Sequence, residues 1–123
     1  MKVTLYGTRG SLANAGPDTV RYGGNTACID VRGEDGTVLV LDAGTGIRSL
    51  GERLAGAARI DLLLTHLHMD HIQGLGFFKP LFTADMDVHI WGLRPQHWTC
   101  GIGSRAISRR RSFRYSSAIC LAA

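Results

Sequence analysis

The sequence is poor in cysteine, and its cysteines are too few and too scattered to form a disulfide framework. The three are Cys28, Cys100 and Cys120, an odd number with no C-x-x-C pair among them. This pattern excludes a small domain held together by disulfides. It favours a reducing compartment, for which we predict the cytoplasm.

Long apolar runs are also missing from the chain. No segment approaches the roughly 20 consecutive apolar residues that a membrane-spanning helix needs. The first residues, MKVTLYG, alternate between polar and apolar instead of forming the apolar core of a signal peptide. We therefore expect neither a secretory leader nor a membrane partner.

An excess of basic residues is absent from most of the chain, although the whole chain has a net charge of +4. Residues 1–98 contain nine Lys and Arg against ten Asp and Glu, whereas residues 99–123 contain five Arg and no acid. The first 98 residues therefore give no electrostatic argument for nucleic-acid binding.

The chain has an ordinary globular composition. Of its 123 residues, 45% are hydrophobic and 20% are charged, which is enough for one modest domain.

One helix is predicted in AGTGIRSLGERLAGA, where Thr45 can cap the first turn and Ile47, Leu50 and Leu54 share a face. A hairpin turn is predicted at GEDG, and IDLLLT is typical of a strand buried on both faces. Strands are predicted at KVTLY, TACIDVR, TVLVLD, IDLLLT and DVHIWG. This order indicates an α/β fold with a mixed β-sheet and flanking helices.

A dense cluster of possible metal ligands follows the predicted strand IDLLLT, in THLHMDH, residues 65–71. His66 and His68 are two apart and can project to one side and bind one ion. Asp70 and His71 lie further on and can reach a second ion. Two ions roughly 3.5–4 Å apart can share a hydroxide that serves as nucleophile at neutral pH. A catalytic zinc takes about three protein ligands, so further ligands must come from elsewhere; a histidine-rich surface loop is the alternative.

This H-x-H-x-D-H pattern resembles the signature of the metallo-β-lactamase superfamily. LVLDAGTG resembles the Asp-Gly motif that ends a strand in that superfamily, with Asp42 at the acidic position. GTRGS and RYGGNTAC resemble the branch that includes ribonuclease Z and the cyclic phosphodiesterases of phosphonate metabolism. The resemblance covers about residues 2–98 and implies the N-terminal half of an αββα sandwich.

The resemblance also implies two divalent metal ions, usually zinc and sometimes manganese or iron. His66 and His68 would bind the first ion, and Asp70 and His71 the second, with Asp70 also taking part in proton transfer as a catalytic residue. Asp42 would lie beneath the site and hold the histidines by hydrogen bonds, the alternative being a simple cap or turn residue.

The implied reaction is hydrolysis of a phosphodiester or another small molecule by a metal-bound hydroxide, with nucleic acid expected only as a substrate. The alternative within the same fold is a lactone, thioester or β-lactam substrate. Family members carry their remaining ligands in a second half of the domain. Asp85, Asp87, His89 and His97 come too early in the chain to match those ligands.

The glycine-rich segment of residues 7–25 is predicted to be a long loop, and it supplies two candidate substrate contacts. Arg9 and Asn25 are candidates to line the substrate cleft, where a phosphodiester would favour an arginine. The alternative is that the polar side chains here satisfy backbone groups in tight turns, which is favoured for Ser11. Elsewhere, Phe77, Phe78 and Cys28 are predicted to be core residues.

Residues 99–123 differ in composition from the rest and do not resemble the family. A disordered end is one interpretation. A second is a basic arm for nucleic acid, which would make the chain a metal- or nucleic-acid-binding module instead of an enzyme. A third is a reading-frame slip, because back-translation from Trp98 with GC-rich codons, shifted by two bases, yields DLRDRLARYLSPP, which is patterned as an amphipathic helix. We therefore expect residues 1–98 to form a partial domain of low or no activity with an exposed apolar face.

Overall fold

The computed structural model describes residues 1–54 and 56–92, together with the backbone of residues 114–115. Its strands form one six-stranded sheet in which spatial order follows chain order. The first three strands pair antiparallel and the later ones pair parallel, so the predicted mixed sheet is confirmed. The strands are β1 (Lys2–Gly7), β2 (Cys28–Arg32), β3 (Val38–Leu41), β4 (Arg59–Leu64), β5 (Asp87–Gly92) and β6 (Arg114–Tyr115).

The predicted hairpin turn joins β2 to β3. Gly33 N donates to Thr37 O at 3.0 Å, and Gly36 has a φ of +84°, a left-handed conformation that glycine adopts without steric cost. Residues 8–27 connect β1 to β2 and contain only a short 3₁₀ turn, Pro17–Thr19, as predicted for a long loop.

The helical elements of the described chain are all short. The helix predicted in residues 43–57 is reduced to α1 (Ile47–Gly51), and Thr45 does not cap it, because its side chain bonds to residues of the preceding loop instead. Those two details of the prediction are therefore wrong. The remaining elements are α2 (Met69–Ile72) and two 3₁₀ turns, Leu75–Phe77 and Lys79–Phe82.

These helical elements cover one face of the sheet. Val40 of β3 lies beside Leu62 of β4, which lies beside Ile90 of β5, and all three are buried. The three residues expected on the inner face of the helix, Ile47, Leu50 and Leu54, are almost fully buried against this layer. Burial of such side chains contributes roughly 1.5–3 kcal/mol each before entropy costs, so this face is the core of the domain.

The other face of the sheet is apolar and only partly covered in the described part of the chain. Leu5, Ile29, Leu41, Leu63 and Trp91 form a continuous row across β1 to β5. Leu5 is 61% exposed, and the others are half-buried. The prediction that β4 is buried on both faces is therefore wrong for the described residues, since the described helices lie on one side only.

Two core predictions near α2 have different outcomes. Phe78 is fully buried, whereas Phe77 is 71% exposed, so the prediction is confirmed for Phe78 and wrong for Phe77. The backbone changes between the two residues, because the 3₁₀ turn ends at Phe77 and Phe78 is extended. The two side chains therefore have different surroundings. Cys28 is fully buried on β2, as predicted.

Several sequence predictions concern residues outside the described part of the chain. His97 lies there, and so does the proposed foreign segment of residues 99–123, apart from the backbone of residues 114–115. Among the helices that the structure describes, none combines the length and apolar character needed to cross a membrane.

Candidate metal centre

The candidate ligands lie where two parallel strands end side by side. β3 ends at Leu41 and β4 ends at Leu64, and parallel strands bring their carboxyl ends to one edge of the sheet. Asp42 follows β3 directly, and its backbone N–H donates to Leu63 O at 2.9 Å. The segment of residues 65–71, here called the histidine loop, follows β4. The topology therefore brings Asp42 to the base of the histidine loop.

The Asp42 side chain is buried and contacts the start of this loop. Oδ1 of Asp42 accepts hydrogen bonds from the backbone N–H and the hydroxyl of Thr65, both at 2.9 Å. Asp42 itself has a φ of +61°, a left-handed conformation that Asp tolerates better than most residues. This backbone turn directs the carboxylate at the loop.

The same carboxylate also lies against the end of the histidine loop. Oδ2 of Asp42 is 2.8 Å from Nδ1 of His71, a distance that makes an ion pair when the imidazole is protonated. Nδ1 is buried, and no aligned hydrogen bond reaches it among the described groups, so the contact is close but poorly directed. With Nδ1 directed at Asp42, the other ring nitrogen, Nε2, faces Asp70, whose Oδ2 lies 3.5 Å away.

His66 and His68 form a second pair of donors. Nε2 of His66 lies 3.1 Å from Nδ1 of His68, and the two rings meet edge to face with centroids 4.6 Å apart. Two nitrogens that bind one tetrahedral zinc at about 2.0–2.1 Å stand roughly 3.3 Å apart, so this spacing suits a shared ion. The His66 ring also lies against His71, with centroids 4.0 Å apart, which joins the two pairs.

The four side chains do not form a complete metal site. Within the part of the chain that the structure describes, no set of three or more His, Cys, Asp or Glu residues is arranged to hold one ion. Each pair supplies two donors, whereas a catalytic zinc takes about three protein ligands. The donor chemistry therefore fits a divalent ion, and each ion would need at least one more ligand than these residues supply.

The loop after β1 also contacts Asp70. The backbone N–H of Ser11 donates to Oδ2 of Asp70 at 2.8 Å, across 59 residues of sequence. This hydrogen bond is the main reason that the pKa of Asp70 lies below its ordinary value of 3.8, and the histidines beside it act in the same direction. Asp70 is thus a carboxylate at neutral pH, the form that binds a metal ion.

The two candidate substrate residues lie close to this contact. Arg9 is exposed, and its Nε donates to Leu12 O at 2.9 Å. Its backbone N–H donates to Asn25 O at 3.0 Å, so the two candidates are neighbours. Asn25 uses its side-chain oxygen to accept a hydrogen bond from the Thr45 hydroxyl at 3.1 Å, a contact between two side chains. Asn25 also borders an open cleft of about 460 Å³, lined by residues 13–16, 19, 20 and 23–25.

Two residues of the site were not singled out from the sequence for the contacts that they make. Thr65 is the one residue between β4 and the first histidine, and its hydroxyl is the signal that could have indicated a hydrogen bond at this strand end. Ser11 acts through its backbone N–H, and its φ of +66° has no clear signature in the residue type.

Comparison with known proteins bears directly on this arrangement. The model of the family described as the metallo-beta-lactamase superfamily matches residues 21–88, more than half of the chain. The chain belongs to the metallo-β-lactamase superfamily. The match includes Asp42 and the whole histidine loop. Among curated proteins there is no match, and among solved structures there is none either.

Membership confirms the superfamily part of the resemblance seen in the sequence, whereas the ribonuclease Z and phosphodiesterase branch is not supported. Membership of the superfamily suggests a metal-dependent hydrolase. The mixed sheet with helices on one face is consistent with the N-terminal part of the metallo-β-lactamase fold.

Proposed function

We propose that this metallo-β-lactamase chain carries part of the active site of a metal-dependent phosphodiesterase. The observation that carries the proposal is the meeting of two donor pairs, His66 with His68 and Asp70 with His71, at the ends of two parallel strands. A surface loop that was histidine-rich by chance would not have a buried carboxylate, Asp42, beneath it.

Each pair would hold one divalent ion, of which zinc is our first choice, with manganese and iron as alternatives. When bound, such ions lower the pKa of water and neutralise charge on a phosphoryl oxygen. His71 keeps Nε2 free for an ion while Nδ1 faces Asp42. Asp70, whose carboxylate accepts a hydrogen bond from the Ser11 N–H, can bind an ion and accept a proton.

A phosphodiester is our proposed substrate because of the loop that contacts Asp70. Ser11 touches the ligand carboxylate, and Arg9 lies two residues before it on an exposed part of the same loop. A guanidinium group pairs well with the oxygens of a phosphodiester. A small phosphodiester therefore fits this site better than an uncharged ester, and nucleic acid enters only as a substrate.

A substrate panel tests this proposal. The purified chain with added zinc is incubated with bis-(4-nitrophenyl) phosphate, a lactone, a thioester and a chromogenic β-lactam. We expect slow hydrolysis of the diester alone, abolished by a chelator and by His68→Ala, because the described donors are too few for full activity. A preference for another substrate would change the substrate class, and equal rates for the chain and His68→Ala on all four would refute the hydrolase.

We also propose a cytoplasmic location. Among the described residues, Cys28 is a free and fully buried thiol, in keeping with a reducing compartment. Treatment of the purified chain with oxidised glutathione tests this proposal. A protein adapted to a reducing compartment should gain no stability from the treatment.

A further inference from the structure

Thr26 lies at a junction directly behind the proposed metal centre. Its side chain is fully buried although it is polar, and it sits just before β2. Three segments meet around it: the end of the first loop, the turn between β3 and α1, and the residues that follow α2. A buried hydroxyl is costly unless it is hydrogen-bonded, so its partners indicate what it holds together.

The partners of Thr26 form a reciprocal clasp. The backbone N–H of Thr26 donates to Oγ1 of Thr45 at 2.9 Å, and the backbone N–H of Thr45 donates to Oγ1 of Thr26 at 2.9 Å. Gln73 adds a third contact, because its Nε2 donates to Oγ1 of Thr26 at 3.1 Å. Gln73 is the residue immediately after α2, so the hydroxyl of Thr26 links that helix to the β3–α1 turn.

The backbone between the clasp and the ligands is tightly packed. Gly44 lies between Thr26 and Asp70, and a Cβ at this position would overlap both the Thr26 hydroxyl and the Asp70 carbonyl oxygen. The backbone N–H of Ala43 donates to His71 O at 2.7 Å, and that of Gly74 donates to Ala43 O at 2.8 Å. A shift of the turn would therefore shift Asp70 and His71 with it.

We propose that Thr26, with Thr45 and Gln73, is a positioning residue for the Asp70–His71 half of the metal centre. The inference rests on the proposed function, since it assigns the clasp to the same site. Asp42 holds His71 through its side chain, whereas the Thr26 clasp sets the place of the backbone that carries Asp70 and His71. The hydrogen bonds of the clasp do not include His66 or His68, so the clasp acts first on the Asp70–His71 half.

Two variants of Thr26 isolate the hydroxyl from the shape of the side chain. Thr26→Val keeps the size and β-branching but leaves the N–H of Thr45 and the amide of Gln73 without their acceptor. Thr26→Ser keeps the hydroxyl and loses a methyl group. Thr4→Val, on β1, is the matched control away from the junction. Gln73→Met is a milder second variant that removes one donor and applies if Thr26→Val does not fold.

The first measurement is zinc affinity by competition with a chelating dye. Groups that orient a ligand side chain typically contribute 10–100-fold to metal affinity. The clasp contacts the backbone near the ligands and not the ligand side chains, so we expect a smaller effect. We expect Thr26→Val to weaken zinc binding about threefold to tenfold, with Thr26→Ser and Thr4→Val close to the parent chain. Parent affinity in Thr26→Val, or in Gln73→Met where Thr26→Val does not fold, would overturn the proposal.

The second measurement needs no metal and separates failure of this inference from failure of the proposed function. Amide hydrogen exchange is recorded for the metal-free chains at Ala43 and Gly74, whose N–H groups bond across the junction, and at Leu62 in β4. We expect exchange at least tenfold faster at Ala43 and Gly74 in Thr26→Val, with Leu62 unchanged. If the parent chain binds no zinc, the proposed function fails, and hydrogen exchange alone tests the positioning role of Thr26. Unchanged exchange rates at Ala43 and Gly74, or an equal acceleration at Leu62, would refute that role.

Discussion

Oδ2 of Asp42 lies 2.8 Å from Nδ1 of His71, and Oδ1 of the same carboxylate accepts two hydrogen bonds from Thr65. One buried side chain at the end of β3 thus contacts the first and the last residue of the histidine loop. The carboxylate accepts directed hydrogen bonds at the start of the loop and makes a close but poorly aligned contact at its end, so it helps to place the loop's donors before an ion binds.

The first prediction concerns this carboxylate. Asp42→Asn should lower the free energy of unfolding by about 2 kcal/mol, because hydrogen bonds to a charged group are replaced by bonds to a neutral one. Zinc affinity should fall about 10–100-fold, the usual effect of losing a group that orients a ligand. Asp85→Asn is the control, since Asp85 is also an aspartate in the left-handed conformation, with a φ of +65°, but it is exposed. Urea unfolding and zinc titration that fail to distinguish the two variants would contradict the role of Asp42.

Much of the fold could be predicted because its determinants are local. The hairpin at residues 33–36, the buried face of Ile47, Leu50 and Leu54 and the strand before the histidine loop follow from turn chemistry and apolar spacing. The candidate ligands were identified for the same reason, since all four lie within six consecutive residues. Their pairing remains a prediction.

The parts that could not be predicted depend on contacts between distant residues. Thr45 has the sequence position of a helix cap, but its hydroxyl accepts a hydrogen bond from the backbone N–H of Thr26, 19 residues away, and donates one to Asn25, so it does not cap the helix. The contact of Ser11 with Asp70 spans 59 residues and uses a backbone N–H, for which no residue type is diagnostic. The exposure of one face of β4 depends on which layers cover the sheet, and apolar composition alone does not reveal this.

The second prediction concerns the Cys28 thiol. Burial, followed by the nearby carboxylates of Asp30 and Asp42, raises its pKa to about 12, so almost no reactive thiolate is present near pH 8. Iodoacetamide at pH 8 should therefore leave Cys28 unmodified in the folded chain and modify it fully in urea. Peptide mass spectrometry measures both. Rapid modification of Cys28 without denaturant would show that β2 is not packed as described.

The third prediction concerns the apolar face formed by Leu5, Ile29, Leu41, Leu63 and Trp91. Leu5→Lys places a charge at the exposed edge of this row and should reduce both binding of the dye ANS and self-association. The free energy of unfolding should change by less than about 0.5 kcal/mol, because Leu5 is largely exposed. Leu12→Lys is the control, since Leu12 is 70% exposed and lies on the loop after β1, outside this row. Equal dye binding by both variants would indicate that this face is not available to solvent.

The fourth prediction concerns acid stability. The pKa of Asp61 is lowered from its ordinary value of 3.8, first by the hydrogen bond from Arg59 and also by the bond from Trp91. A lowered pKa stabilises the fold at pH values above the ordinary one, and the contribution is lost as the pH falls through the lowered value. The difference in urea midpoint between the parent chain and Asp61→Asn should therefore be largest near pH 6 and shrink below about pH 4. Arg59→Gln, which removes the main cause, should behave similarly, and a difference independent of pH would contradict the ion pair.

The central claim is that the histidine loop binds a divalent metal ion, and cobalt titration tests it most directly. The absorption spectrum of cobalt reports nitrogen and oxygen ligands in the visible range, and it separates bound from free ion. We predict saturable binding by the parent chain, loss of the ion held by His66 and His68 in His68→Ala, and full retention in His89→Ala, whose histidine pairs with Asp87 on β5 instead. Absence of a bound-cobalt spectrum in the parent chain, or equal spectra for the parent chain and His68→Ala, would contradict the claim.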